Sequence, residues 1–168
     1  GEYLIHMGHR HVGFLGNNVD ESDVDRHRLD GFRTGLAEGG IELREEFILH
    51  RREELFPPDS LRQLMARPDH PTAFFCTSDQ AAVQLMQALS RLGLRVPEDV
   101  SVIGFDDLPL ASCLECPLSS VRQPRREIGF EAAKLLCEEI DGKLSQPVTK
   151  VLPVELMERN SSRNCLER

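Results

Sequence analysis

Short apolar runs of strand length alternate with amphipathic helical stretches along most of this chain, and that rhythm restricts the fold more than any other feature. The runs are His11 to Gly16 (HVGFLG), Phe47 to His50, Thr72 to Cys76 (TAFFC) and Val100 to Phe105 (VSVIGF). Ahead of the first, an apolar helical stretch from Glu2 to Met7 stops at Gly8. Leu29, Phe32, Leu36 and Ala37 recur at three- and four-residue spacing, which predicts a helix from Ser22 to Glu38 halted by Gly39 and Gly40. Leu61, Leu64 and Met65 predict a short helix closed before Pro68. Ala82, Val83, Leu85, Met86 and Leu89 form a wide apolar face running up to Gly93, with Ser78 or Asp79 as its cap. Strands alternating with helices in this way make βαβ units, whose right-handed crossovers give a parallel sheet with helices on both faces. The fold class is α/β.

Ligands of such sheets bind beyond the carboxyl ends of the strands, so the residues that follow each run carry the functional information. Those residues are Asn17 and Asn18, Arg51 and Arg52, Ser78 and Asp79, and Asp106 and Asp107. All are polar and several are charged. The competing reading makes about half of them helix caps or solvated loop tips.

Composition narrows the function classes. A chain of 168 residues suits one domain with a real core. No apolar run approaches the about 20 residues of a membrane helix, so no membrane partner is expected. The net charge of -8 opposes a phosphate-tracking surface. Five cysteines, an odd number in a chain with its own core, read as reduced thiols and predict a cytoplasmic protein. Gly1 leads almost at once into helical sequence, so the N-terminus is expected to be cut from a longer chain.

Catalytic signatures are missing. Cys113 and Cys116 form one C-x-x-C without the second pair that a structural zinc site needs. His9 and His11 share a strand face, but His6 belongs to the preceding helix, and capping or surface roles explain all three. There is no G-x-S-x-G elbow, no Walker-type phosphate loop and no G-x-G-x-x-G. Asp106 and Asp107 could bind a divalent cation, yet no partner nucleophile accompanies them. The chain is therefore expected to have no catalytic residue, no metal and no cofactor, and to bind a small polar molecule. A carboxylate such as Asp106 accepts two hydroxyl hydrogen bonds at once, and Arg28, near the start of the second helix, supplies a rigid fork of donors that can lean over the strand ends. The alternative for Arg28 is a solvated helix charge.

Six segments in order give this reading a family. They are YLIHMGHRHVGFLG (Tyr3 to Gly16), RLDGFRTGL (Arg28 to Leu36), PTAFFCTSDQAA (Pro71 to Ala82), VPEDVSVIGFDDLPLA (Val96 to Ala111), PLSSVRQPRREIGFEAA (Pro117 to Ala133) and LPVELMERNSS (Leu152 to Ser162). Together they resemble the effector domain of LacI/GalR-family transcription regulators, over nearly the whole chain. In that family an N-terminal headpiece binds operator DNA, and a periplasmic-binding-protein-like (type I) core of two α/β subdomains senses a small effector, often a sugar or nucleobase. The resemblance covers the latter half of that core. It implies that residues 1–121 and 148–158 build the C-terminal effector-binding and dimerisation subdomain. Residues 125–142 are implied to be a helix belonging to the absent N-terminal subdomain, and 159–168 to be a frayed tail. Operator DNA would be met only through the missing headpiece, which accounts for the acidic balance.

Carried over motif by motif, the resemblance makes Arg28 the arginine that reaches the ligand and Asp106 its main carboxylate. Ser78 and Asp79 stand where many members have Asn-Asp, and Gln123 lies at the crossing between subdomains. Arg51 and Arg52 replace the aromatic on which a sugar ring stacks, which suggests a phosphorylated or carboxylated sugar. The helix from Gln80 to Gly93 and the turn around Leu114 match surfaces through which family members pair, so an isologous homodimer is expected. Burying Ile128, Leu135, Leu136 and Ile140 is favourable by about 1.5 kcal/mol or more each, so the helix around them is expected to dock on a neighbouring chain or swap between protomers. Two other classes compete: a sugar-binding receptor of a transport system with the same fold, and a small α/β enzyme using Asp106 and Asp107 with a metal.

Overall fold

A computed structural model describes residues 1–17, 22–51, 58–144 and 146–165 of the chain. Helix α1 (Glu2–His6) leads into strand β1 (Val12–Asn17), followed by α2 (Asp23–Ala37), β2 (Ile48–Arg51), α3 (Pro58–Met65), β3 (Ala73–Cys76), α4 (Asp79–Arg91), β4 (Ser101–Asp106), β5 (Ser119–Arg122), α5 (Arg125–Ile140) and β6 (Glu155–Met157). The strands form one sheet in the order β2-β1-β3-β4-β5-β6. Strands β1 to β5 run parallel, and β6 returns antiparallel along β5. The alternation read from the sequence therefore gives the parallel α/β sheet that it predicts.

Strand periodicity divides the core in two. Val12 and Phe14 of β1, Ala73 of β3 and Ile103 of β4 point to one face, where they meet Leu4 of α1 and Leu29, Phe32 and Leu36 of α2. Leu15, Leu49, Phe74, Cys76 and Val102 point to the other, under Leu61 and Leu64 of α3 and Ala81, Ala82, Leu85 and Leu89 of α4. Helices on both faces explain why the strands read as near-continuous apolar runs. Caps fix the helix starts: Ser22 Oγ accepts the Asp25 N–H at 3.2 Å and Ser78 Oγ accepts the Ala81 N–H at 3.1 Å. Among the described residues no helix is long and apolar enough to cross a membrane.

The last third departs from expectation in its tail. Strand pairing on the return begins at Glu155. The expected frayed tail is instead packed as far as residue 165, and residues 166–168 lie outside the described residues. Ser161 is fully buried, donating from Oγ to the Val102 carbonyl at 2.6 Å and accepting the Ser119 N–H at 2.8 Å. Cys165 donates its N–H to the Met7 carbonyl at 2.7 Å. The polar residues here are buried because they serve as hydrogen-bond partners for the backbone of β4 and β5.

Helix α5 contributes no buried residue. Phe130 is 68% exposed and Ile140 76%, and Val151 on the returning segment is 88% exposed. An ion pair of 2.8 Å between Glu131 and Lys150 joins the helix to that segment.

Candidate functional site

The strand order reverses direction between β1 and β3, which opens the crevice expected beyond the carboxyl ends of the strands. Arg28 reaches over it from the first turns of α2. Its guanidinium donates to the Thr77 carbonyl, just past the end of β3, at 2.6 Å and lies 4.1 Å above the Phe105 ring. The stack holds the fork planar against the sheet and leaves its remaining donors for other acceptors. Phe105 in turn meets Phe75 edge-on at 6.4 Å.

Beside this stack the chain leaves β4 in an unusual conformation. Asp106 has φ 109 and Asp107 φ 50, left-handed backbone in two residues that carry side chains. Such positions cost on the order of 1 to 3 kcal/mol each and persist only when neighbours over-determine them. Here they do. Asp106 Oδ1 accepts the Gln123 amide at 2.6 Å, and the Asp106 carbonyl accepts the Arg125 guanidinium. Asp107 donates its N–H to Ser120 Oγ at 3.0 Å, while its carboxylate accepts Arg122 and Arg159, each at 2.6 Å. Burial pushes the Asp107 carboxyl up, but the bonds and charges of Arg159 and Arg122 more than offset it and hold it below the ordinary value.

Asp79 underpins the same turn from below. Fully buried at the start of α4, it accepts the Leu108 N–H at 2.6 Å and the Ser120 hydroxyl at 2.5 Å. It fits because residue 104 is glycine: a Cβ there would lie 2.3 Å from Asp79 Oδ1. Burial pushes the Asp79 carboxyl up, opposed by the bonds from Ser120 and Leu108.

Of the residues predicted from sequence, the structure brings Arg28, Asp106 and Gln123 to one mouth. Ser78 lies at the edge of that mouth with its hydroxyl engaged as the α4 cap. Asp79 supports the turn and turns both its oxygens inward. Arg51 is buried on the opposite face of the sheet from Arg28, on the side of Leu49 and Cys76. Among the described residues its Nε has no hydrogen-bond partner. Arg52 and Asn18 lie outside the described residues. Asn17 is engaged locally, donating from Nδ2 to Asp25 at 2.7 Å. Sequence reasoning missed Phe105, Thr77, Arg125 and Arg159. Only Phe105 had a signal, since counting by twos from Ile103 places it on the α2 face.

Among the described residues no group of three or more His, Cys, Asp or Glu side chains is placed to hold a metal ion. The arrangement offers one carboxylate with an oxygen to spare and one oriented guanidinium, which suits hydroxyl-rich ligands. A separate groove of about 670 Å³ runs along the outer side of α4, lined by Val83, Met86, Gln87, Leu94, Val96 and Leu114.

Residues 2–162 match the family model described as periplasmic binding protein-like domain. The chain is 36% identical over 163 residues to the HTH-type transcriptional repressor CytR of Escherichia coli (strain K12), covering 96% of this chain and 47% of that protein. A solved transcriptional regulator CelR-cellobiose complex superposes with a TM-score of 0.85 at 34% identity, covering 96% of this chain and 49% of that one. A LacI family transcriptional regulator from Enterococcus faecium with bound ribose gives 0.81 at 25% identity, covering 97% and 60%. The chain thus spans about half the length of the first relatives it matches.

Proposed function

The chain belongs to the periplasmic-binding-protein-like family, among its LacI-type regulators, and from that premise we propose that it is the effector-sensing half of a transcriptional repressor. The observation that carries this is the convergence of Arg28 and Asp106 at the mouth of the sheet. Asp106 accepts a pair of hydroxyls from a sugar or sugar-like effector, and Arg28, held flat on Phe105, donates to its ring or exocyclic oxygens. Asp79 and Ser78 hold the frame, and Gln123 faces the same carboxylate. The cellobiose and ribose bound by the two solved neighbours support this ligand class.

The protein works in the cytoplasm as a binding protein rather than an enzyme, and a headpiece outside this chain meets operator DNA. The α4 groove, with its mixed apolar and charged lining, is the surface through which two copies pair as an isologous dimer.

A nitrogen-15 NMR titration with ribose, arabinose and cellobiose tests the site directly, because it registers weak binding. At least one sugar is expected to shift the amides of Thr77, Phe105 and Asp106 saturably, and Asp106→Asn and Arg28→Met are each expected to abolish those shifts. Saturable shifts confined to the α4 groove, or shifts indifferent to both substitutions, would overturn the assignment.

A further inference from the structure

Three of the four residues that carry the chain from β5 into α5 bind the Asp106–Asp107 turn. Arg122 holds the Asp107 carboxylate, Gln123 the Asp106 carboxylate and Arg125 the Asp106 carbonyl. The fourth, Pro124, has φ -77 and ψ 65, and the Arg125 N–H donates back to the Gln123 carbonyl at 2.8 Å. This is an inverse γ-turn closed by a proline, a stiff corner that leaves little freedom between strand and helix. Beyond the corner, α5 buries nothing against the sheet. Its direction is therefore set at its first turn, by contacts to a turn whose own backbone is held in a strained conformation, and further along by the Glu131–Lys150 ion pair to the returning segment.

We propose that Gln123 and Arg125 are positioning residues that clamp the corner between β5 and α5 to the Asp106 turn, so that the Asp106 carboxylate governs where α5 points. The bond from Gln123 is charge-assisted and short, and it occupies the oxygen that faces the crossing. The clamp does not depend on the reading of Asp106 as the ligand carboxylate.

Residual dipolar couplings and amide exchange of the full chain, without ligand, decide whether the clamp exists. In the native chain the couplings of α5 are expected to fit the same alignment as those of β1 to β5. In Gln123→Leu with Arg125→Met, the α5 couplings are expected to shrink well below those of the strands while the strand couplings stay fixed. Exchange at the Ile128 to Glu131 amides is expected to quicken about tenfold as the charge-assisted anchors go. Asp106→Asn alone gives a partial effect, and adding Gln123→Glu, which restores a carboxylate–amide pair with the roles exchanged, recovers the native couplings. A merely structural role for Gln123 would not be rescued by that exchange. Couplings that stay native in the Gln123 and Arg125 variant, that are already averaged in the native chain, or that the exchanged pair fails to recover would overturn the proposal. Because this test uses no sugar, failure of the sugar-binding reading is seen separately, in the titration above.

Discussion

Truncating Asp79 to alanine is the sharpest test of how the site is built. Its carboxylate is fully buried and serves two donors from different elements, the Leu108 N–H at 2.6 Å and the Ser120 hydroxyl at 2.5 Å. Each donor left unsatisfied costs about 1 to 3 kcal/mol, so Asp79→Ala is expected to lose about 3 to 5 kcal/mol, a large share of the roughly 5 to 15 kcal/mol of a small domain. Asp79→Asn keeps the shape but turns an amide NH2 toward one donor, and about 1 to 2 kcal/mol is expected. Urea denaturation followed by circular dichroism reads both as midpoint shifts at constant slope. The pH dependence adds a sign. Burial raises the Asp79 carboxyl in the folded chain, so its contribution is complete below the unfolded value and is lost as pH rises through the folded value. Asparagine does not titrate, so the penalty of Asp79→Asn should be largest in acid and shrink as pH rises. A loss below about 1 kcal/mol for alanine, or an asparagine penalty that grows with pH, would refute the reasoning.

Asp107 should behave in the opposite sense. Its carboxyl sits below the ordinary value, so Asp107→Asn is expected to cost about 2 to 3 kcal/mol at neutral pH, a penalty that fades as pH falls through the folded value, measured by urea midpoints across pH. Gly104→Ala places a methyl 2.3 Å from Asp79 Oδ1 and 2.9 Å from Leu118 Cδ2. It should destabilise by about 2 to 3 kcal/mol in the same assay, and less on an Asp79→Ala background, because the two share one clash. The exposed apolar face of α5 should drive association at micromolar protein. Sedimentation velocity is expected to show a species larger than the α4-paired dimer, which Phe130→Glu with Ile140→Glu returns to the dimer, and a native chain that sediments no larger than a dimer would count against it.

The two-faced core was legible because strand and helix periods are physical consequences of burial. Of the apolar residues used to predict α2, Leu29, Phe32 and Leu36 are buried where the spacing places them, and only Ala37 at the end of the helix is exposed. Arg28, Asp106 and Gln123 were legible through strand ends and family motifs. What escaped depends on three-dimensional juxtaposition. Arg51 reads as a charged strand end open to ligand, yet it shares a face with Leu49 two residues earlier and is buried with it. Ser161 and Ser162 read as solvent-exposed because hydroxyl-rich segments are so on average, and their burial follows from backbone groups of distant strands that need partners. The positive φ of Asp106 has no signature at all in the run Phe-Asp-Asp, since its cost is met by arginines and an amide that lie further along the chain.

The chain leaves the sheet after Arg122 and comes back at Glu155, two residues that face each other across the antiparallel pair of β5 and β6. Everything between them therefore hangs from two adjacent strands, like a door from a double-leaf hinge. Such an attachment resists translation and bending in the plane of the sheet, while rotation about the line of the two crossings is the soft coordinate. The ion pair of 3.6 Å between Arg122 and Glu155 sits on that line, where rotation moves it least. Motion of α5 is in this way reduced to one angle, which a contact as small as one carboxylate can set.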